Sequence, residues 1–427
     1  MASPIPMDAT MLDVDAALAL IHQGLHRGPT EALAPRAALG RVLAQAVYSG
    51  EDLPPFDNAA MDGFALPLGA RTAQAGEEFA VQGEQAAGDA ARSAQVACAI
   101  MTGARLPDGL DTVVPLEQVR VLAHDVQGGA QRIVLTVAVA PGQHCRRRGE
   151  DICRGEPALP AGCRIGPPQL ALLAGIGCAK VSVVKAPRLT LFCTGRELVD
   201  DPARALGSGE IRNSNGPYLA AAAAAAGTEL LREVTVADEP ASLQHAIADA
   251  VADGARLILS TGAVSAGRYD FVPEVLGALR ADIVFHKLRM RPGKPLLFAR
   301  LPGGTLYFGL PGNPASCAVG FRFFVCAAVR ALLGLAAERP WRLPLVQEAS
   351  KKAGFALYQK ASLTFDRDGR AGVRLLSGQE SFKVHSLAHA QGWAMLPAAA
   401  EHLPAGTSVD FHGSAHWGLH LDTESAA

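Results

Sequence analysis

Between residues 188 and 335 apolar runs of strand character alternate with helical stretches, and no other feature constrains the fold of this chain as strongly. RLTLFCT, TELLREVTV, ARLILST, ADIVFHKL and TLYFGL are the strand candidates. YLAAAAAAAG, ASLQHAIADAVADG, FVPEVLGALR and PASCAVGFRFFVCAAVRALLG have helical length and spacing. Strands that are apolar along most of their length are buried on both faces. Their alternation with helices predicts a parallel sheet covered by helices. The alanine run Ala220–Ala226 suits a close helix–sheet contact, because alanine is the best helix former and adds little bulk.

The rhythm differs on either side. Residues 14–27 carry helical apolar spacing, which EDLPPFDNAAMDGFALP breaks with proline and glycine. From about 64 to 145, short runs such as FAVQG, QVACAIM and RIVLTVAVA predict a small β-rich module. PPQLALLAGIGC then reads as a helix. Beyond residue 336, WRLPLVQEA, ALYQKASLTFD, GVRLLSG and GTSVDFHG read as strands, and a small β-barrel or sandwich is expected.

A chain of 427 residues exceeds one ordinary core, so several domains are expected. With 49% hydrophobic and 19% charged residues the composition is globular, and a net charge of −2 argues against a broadly basic nucleic-acid surface. No run of membrane-spanning length escapes interruption by charge, proline or glycine. The N-terminus carries acidic residues where a signal peptide would carry lysine or arginine. The expectation is a cytoplasmic protein without nucleic-acid or membrane partners. The eight cysteines show no C-x2-C spacing, so neither a zinc site nor a disulfide framework is expected; Cys193 and Cys317 read as small buried thiols.

In sheets of this type ligands bind beyond the carboxyl ends of the strands. Candidate loops there are TGRELV, GAVSAGRYDF and GLPGNPAS. In the last, Gly309 and Gly312 allow close backbone approach, Asn313 suits an N-cap, Pro314 suits the first helical turn, and Ser316 adds a hydroxyl. The free N–H groups of such a helix end favour an anion; a capped helix behind a tight turn is the alternative. The second loop offers Gly262, Ser265, Gly267 and Asp270, suited to a phosphate with a carboxylate for Mg2+ or a water, although Asp270 also suits a plain N-cap. RPGKP contributes Arg291 and Lys294, a bidentate and a point-charge partner for an oxyanion, followed by Pro295. No Walker loop and no dinucleotide fingerprint occurs. Asp57, Asn58 and Asp62 lie in PPFDNAAMDGFA, Thr102 and Gly103 in MTGARLPDG, and Glu150 and Asp151 in RRRGEDI. Each of these, alone, is also a turn closed by side-chain hydrogen bonds.

Taken in order, PPFDNAAMDGFA, MTGARLPDG, RRRGEDI, TGRELV, TGAVSAGRYDF, RPGKP and GLPGNPAS resemble the molybdopterin molybdenumtransferase family, which includes MoeA and the gephyrin E domain. The motifs span residues 52–316. The resemblance implies a multidomain α/β and β protein. Its parts are a discontinuous linker domain (1–47 with 146–182), an inserted β-rich domain (48–145), a central three-layer, MogA-like molybdopterin-binding α/β domain (183–335) and a C-terminal β-barrel-like domain (336–427).

It also implies an elongated homodimer that cleaves AMP from adenylyl-molybdopterin and inserts molybdate into the dithiolene. Transient contacts with molybdopterin adenylyltransferase and molybdoenzyme chaperones belong to that picture. Asp270 falls on the family's essential aspartate. Arg291 and Lys294 fall on its molybdate-site cations, Asp57, Asp62 and Thr102 on its conserved-motif positions, and Lys360 and Ser386 on its C-terminal oxyanion residues. Asp270 with Glu197 is the expected Mg2+ pair, with Asp238 nearby. Two positions depart: Arg196 stands where the family commonly has aspartate, and Ala263 where it has glycine. A non-catalytic molybdopterin-binding scaffold and a molybdopterin adenylyltransferase are the alternative readings.

Overall fold

The computed structural model describes residues 11–262 and 271–417. The chain divides into two compact units, Ala32–Val183 and Met1–Glu31 with Val184–Ala427.

The 32–183 unit is built on a six-stranded sheet. In spatial order its strands are Thr112–Pro115, Gly63–Leu66, Ala97–Ile100, Glu78–Gln85, Ala130–Leu135 and Val119–His124. One face buries Phe64, Leu66, Ile133 and Leu135, and the other buries Ala65, Cys98, Ile100 and Val113. Successive residues point to opposite faces of a strand, so Phe64 and Ala65 serve different cores. A separate cluster of Leu43, Leu159, Ile165, Leu173 and Val183 surrounds the helix Pro167–Gly175, which PPQLALLAG supplies.

The second unit holds the expected α/β layer. Its strands are β1 (Arg188–Thr194), β2 (Glu229–Val236), β3 (Leu257–Thr261), β4 (Asp282–His286), β5 (Leu297–Arg300) and β6 (Leu306–Leu310), in the order β2-β1-β3-β6-β5-β4. β2, β1, β3 and β6 are mutually parallel. The sheet is mixed rather than all parallel, because β5 runs antiparallel to both β6 and β4. The run LLFAR that makes β5 is separated from β6 by five residues, too few for a helical crossover, so the chain turns back through LPGGT as a hairpin. Helices α1 (Asn215–Ala225), α2 (Pro240–Ala252) and α3 (Val272–Ala278) cover the sheet, and Phe192, Ile258, Tyr307, Leu243, Ile247 and Leu276 share one core.

The long apolar segment after β6 forms a helix over Pro314–Leu332 with a π-turn at Phe321–Val325. It meets the length and hydropathy of a membrane span. However, 83% of that window is buried within the protein, as expected of a core helix. Arg322 leaves this helix at the π-turn and is itself buried at 3% exposure. It donates two hydrogen bonds to Glu338 at 2.6 and 2.7 Å and one each to the carbonyls of Gly413 and Ala415.

C-terminal strands β7 (Trp341–Pro344), β8 (Ala356–Phe365), β9 (Ala371–Leu375), β10 (Gly392–Leu396) and β11 (Ser408–Gly413) run in the order β9-β8-β10-β11-β7. A bridge from Leu345 to Val373 returns the last strand to the first and closes a small barrel around Leu345, Ala361, Val373, Ala394, Val409 and Phe411. Closure leaves little free sheet edge.

Candidate functional site

Because β1, β2, β3 and β6 point the same way, the loops after Thr194, Val236, Thr261 and Leu310 emerge on one edge. The loops after Thr194, Thr261 and Leu310 are tied to one another. Thr194 Oγ1 donates to the Thr261 carbonyl at 2.9 Å, and Gly262 N–H donates to the Leu310 carbonyl at 3.1 Å. Gly262 has φ +87°, and a Cβ there would lie 2.7 Å from Thr194 O. Only glycine therefore allows the first two loops to approach this closely. A Cβ on Gly312 would sit 3.9 Å from Gly262 Cα, so the third loop joins the same cluster. Asn215, at the start of α1, donates to the Gly312 carbonyl at 2.7 Å.

Glu197 and Asp238 share this edge. The Glu197 carboxylate curls over Gly195, 2.9 Å from where a Cβ would stand. Asp238 titrates above the usual carboxylate range, first through burial and then through the Glu197 charge, with Arg196 opposing both. Among the described residues no group of three or more His, Cys, Asp or Glu side chains is assembled to hold a metal. Two carboxylates remain enough for Mg2+, which usually takes one or two and completes its shell with water and substrate phosphate. Ser265, Gly267 and Asp270 lie outside the described residues.

The third loop differs from its expected form in two places. Gly309 lies inside β6, paired with Ser260 and Leu297, so it serves the sheet rather than the loop. Asn313 occupies the N-cap position, but its side chain makes no capping hydrogen bond. One of the first helical N–H groups, that of Ala315, donates instead to the Ser381 carbonyl from the barrel at 2.9 Å.

RPGKP also sits elsewhere than a strand end of the sheet. Met290–Arg291 forms a short strand parallel to β8, so this segment belongs to the barrel side of the unit. There Arg291, Gly293, Lys294, Pro295 and Ser316 line a cleft of about 340 Å3 whose far wall includes Gln359, Gln379 and Ser381. Both cations are exposed, and Arg291 lies 4.6 Å from the Phe355 ring centroid, which holds the guanidinium without consuming its donors. Gln359, Gln379 and Ser381 were not singled out in the sequence, since polar residues on a barrel strand and its following loop carry no distinguishing pattern.

Lys360 and Ser386 are together but do not face this cleft. Lys360 is fully buried, and its ammonium donates to the Gly378 carbonyl at 2.7 Å and to Ser386 Oγ at 2.8 Å. The Glu380 and Lys383 carbonyls stand at 3.3 and 3.4 Å. An ammonium has three N–H donors, and these acceptors occupy them all. This departs from a direct oxyanion contact for the pair.

In the 32–183 unit the remaining motif residues form a second cluster. Asp57 accepts Arg148 N–H and Arg147 Nη1, each at 2.8 Å; burial opposes its ionisation, but these bonds hold it below the usual range. Asp57 thus ties PPFDN to RRRGED. The turn closes on itself through Arg147 N–H to Glu150 Oε2 at 2.7 Å, while the Arg147 and Arg148 side chains reach back to Asp57 and Asp52. Asp62 accepts the Thr102 N–H at 2.6 Å and sits below its usual range through bonds from the Thr102 backbone and hydroxyl. A cleft of about 420 Å3 opens beside Asp57, Arg105, Asp108 and Arg148. The cysteines are all free, with Cys98, Cys193, Cys317 and Cys326 buried.

Comparison with known proteins agrees with this arrangement. Residues 12–177 match the MoeA N-terminal region (domain I and II), 190–331 a probable molybdopterin binding domain, and 342–413 the MoeA C-terminal region (domain IV). The chain is 36% identical over 378 residues to the molybdopterin molybdenumtransferase of Synechococcus elongatus, covering 87% of this chain and 91% of that one. It is 32% identical over 391 residues to the protein of the same name from Staphylococcus aureus strain MSSA476, covering 90% of each. The molybdopterin biosynthesis MoeA protein of Pyrococcus horikoshii OT3 superposes with a TM-score of 0.76 at 26% identity, covering 94% of this chain and 99% of that structure. With every module matched in order and relatives above 30% identity along nearly the whole length, the chain belongs to the molybdopterin molybdenumtransferase (MoeA) family.

Proposed function

We propose that this protein is a molybdopterin molybdenumtransferase of molybdenum cofactor biosynthesis, which cleaves AMP from adenylyl-molybdopterin and inserts molybdate at the dithiolene. The observation that carries the reading is the cleft of Arg291, Lys294 and Ser316. It opens beside the segment that matches a probable molybdopterin binding domain. Two cations, a hydroxyl and neutral polar groups at one wall suit a tetrahedral oxyanion such as molybdate, with Arg291 as the bidentate partner and Lys294 as the point charge. Pro295 and Gly293 shape the floor. The pterin phosphate would lie along the carboxyl edge of the sheet, at Gly262, Gly312, Asn313 and Ser316, with Ser265 and Gly267 as further candidates.

AMP release breaks a phosphoanhydride bond, so charge building on the phosphate oxygens must be neutralised and a nucleophile positioned. Asp270, Glu197 and Asp238 are the proposed carboxylates for that step. When bound, Mg2+ would supply charge neutralisation at the phosphate, held by Glu197 and Asp270. Arg196 adds a fixed positive charge beside them and precludes a metal-ligand role at that position. Holding molybdate close to the dithiolene then supplies much of the rate through orientation. Asp57, Asp62 and Thr102 are proposed to shape the motif loops of the 32–183 unit, which complete a site shared in a homodimer. Cytoplasmic location, contact with the adenylyltransferase that provides the substrate and contact with molybdoenzyme chaperones belong to the same proposal.

The test is AMP release from adenylyl-molybdopterin with and without molybdate, for the wild type and Asp270→Asn. The reading expects molybdate-dependent cofactor formation and a large loss in the variant. Equal rates in both proteins would remove Asp270 from the chemistry. Formation of adenylyl-molybdopterin from molybdopterin and Mg-ATP would identify an adenylyltransferase instead.

A further inference from the structure

Lys360 occupies a buried position on the face of β8 that turns away from the barrel core of Leu357, Ala361 and Leu363. It lies on β8 in register with Ala356 and Tyr358, whose side chains are buried, and Lys360 is buried completely. Burying an ammonium is costly unless hydrogen bonds replace its water. Among the described residues the replacement comes from one segment, 376–386, a loop that runs into the short helix Val384–Ala388: the carbonyls of Gly378, Glu380 and Lys383 and the hydroxyl of Ser386 surround Nζ. Ser386 Oγ in turn donates to the Gly378 carbonyl at 2.6 Å.

The same loop grips the Lys360 backbone. Gln379 Oε1 accepts Lys360 N–H at 3.0 Å, while Gln379 Nε2 donates to the carbonyls of Lys360 and Leu376 at 2.9 and 2.8 Å. Gly378 adopts φ +74°, and a Cβ there would stand 3.2 Å from Lys383 Cδ and 3.4 Å from Ser386 Oγ, so the loop is wound tightly around the ammonium. Its opposite side forms the wall of the Arg291–Lys294–Ser316 cleft through Gln379 and Ser381, and Ser381 O accepts the Ala315 N–H at the start of the long helix.

We propose that Lys360 is a positioning residue: its buried ammonium fixes the 376–386 loop against the cleft and thereby sets the oxyanion pocket without touching the oxyanion. This rests on the reading of that cleft as the molybdate site. A wall displaced by an ångström weakens every contact made across it, so molybdate capture suffers before the chemistry does.

The experiment measures amide hydrogen exchange across 376–386 together with KM for molybdate and kcat, in the full-length protein. Lys360→Met is expected to speed exchange in this loop by about ten-fold or more and to raise KM for molybdate by about ten-fold, with kcat changing less than about threefold. Ser386→Ala, which removes one acceptor and leaves the barrel packing intact, gives a smaller change in the same direction and serves if the methionine variant does not fold. Unchanged loop exchange with raised KM in either variant would make Lys360 an oxyanion ligand and overturn the proposal. Faster loop exchange with unchanged KM, while Arg291→Ala raises KM, would also overturn it. An unchanged KM in Arg291→Ala sinks the cleft reading instead, and with it the positioning role toward molybdate.

Discussion

Replacing Glu338 by glutamine keeps the shape of the side chain but removes the charge that balances a buried arginine. Arg322 is 3% exposed, and its guanidinium is fixed by Glu338 Oε1 and Oε2 at 2.6 and 2.7 Å and by the Gly413 and Ala415 carbonyls. A glutamine accepts through one oxygen only and turns an N–H toward the other donor. Breaking a buried pair by neutralising one partner costs about 3–5 kcal/mol, because the remaining charge stays buried. Titration gives a second route to the magnitude. Burial would raise the Glu338 pKa, but the His412 imidazole 3.6 Å away and the Arg322 hydrogen bonds overcome it and bring the carboxyl to about 2. Against an unfolded value of about 4.5 this is roughly 3 kcal/mol. Because the folded pKa is depressed, that stability is complete above pH 4.5 and disappears as pH falls toward 2.

Glu338→Gln should therefore lower the free energy of unfolding by about 3 kcal/mol at pH 7, which lowers Tm by about 5–10 °C. The two proteins should converge as pH falls toward 2. Urea titration at pH 7 with a pH series by calorimetry measures both. A loss below about 1 kcal/mol at pH 7, or a constant difference at all pH values, would refute the assignment of this pair as the tie between the long helix and the barrel. Changing both partners together to apolar residues should recover much of the loss.

Other outcomes follow from the same geometry. Gly262→Ala forces a Cβ to within 2.7 Å of Thr194 O at φ +87°, and should cost about 2–4 kcal/mol in denaturant titration together with most transferase activity. His416 is buried, donates through Nε2 to the Ala226 carbonyl at 3.0 Å, and is pushed down to about 4 by burial. Its unfolded form takes up a proton first, so about 3 kcal/mol present above pH 6.5 is lost as pH falls to 4. His416→Gln should flatten that part of the stability profile, and an unaltered profile would exclude His416 as its source.

Much of this fold is legible because periodicity and burial coincide. RLTLFCT maps residue for residue onto β1, and Gly262 and Gly312 mark where loop backbones meet. The antiparallel β5 was not legible, since LLFAR is a short apolar run whose direction depends on which neighbour it pairs with. RPGKP reads as a sheet-edge loop because it follows the strand run ADIVFHKL, whereas its pairing with β8 is a contact across 66 residues that local pattern cannot reveal. Lys360 could have been read as buried: in ALYQKASL it shares the buried face of Ala356 and Tyr358, opposite the barrel-core residues Leu357 and Ala361. What no pattern indicates is that loop 376–386 closes around its ammonium, because backbone carbonyls carry no residue signature. Asp57 and Asp62 were recognisable as motif residues, but their partners Arg147 and Thr102 lie 90 and 40 positions away.

The measurement that bears most directly on the central claim is the molybdate dependence of cofactor formation from adenylyl-molybdopterin by the purified protein, compared with Arg291→Ala and Lys294→Ala. The account predicts saturable dependence in the wild type and curves displaced to about ten-fold or more higher molybdate in each variant, since each loses one charged contact to the oxyanion. Superimposable curves for the three proteins, or cofactor formed at full rate without molybdate, would contradict it.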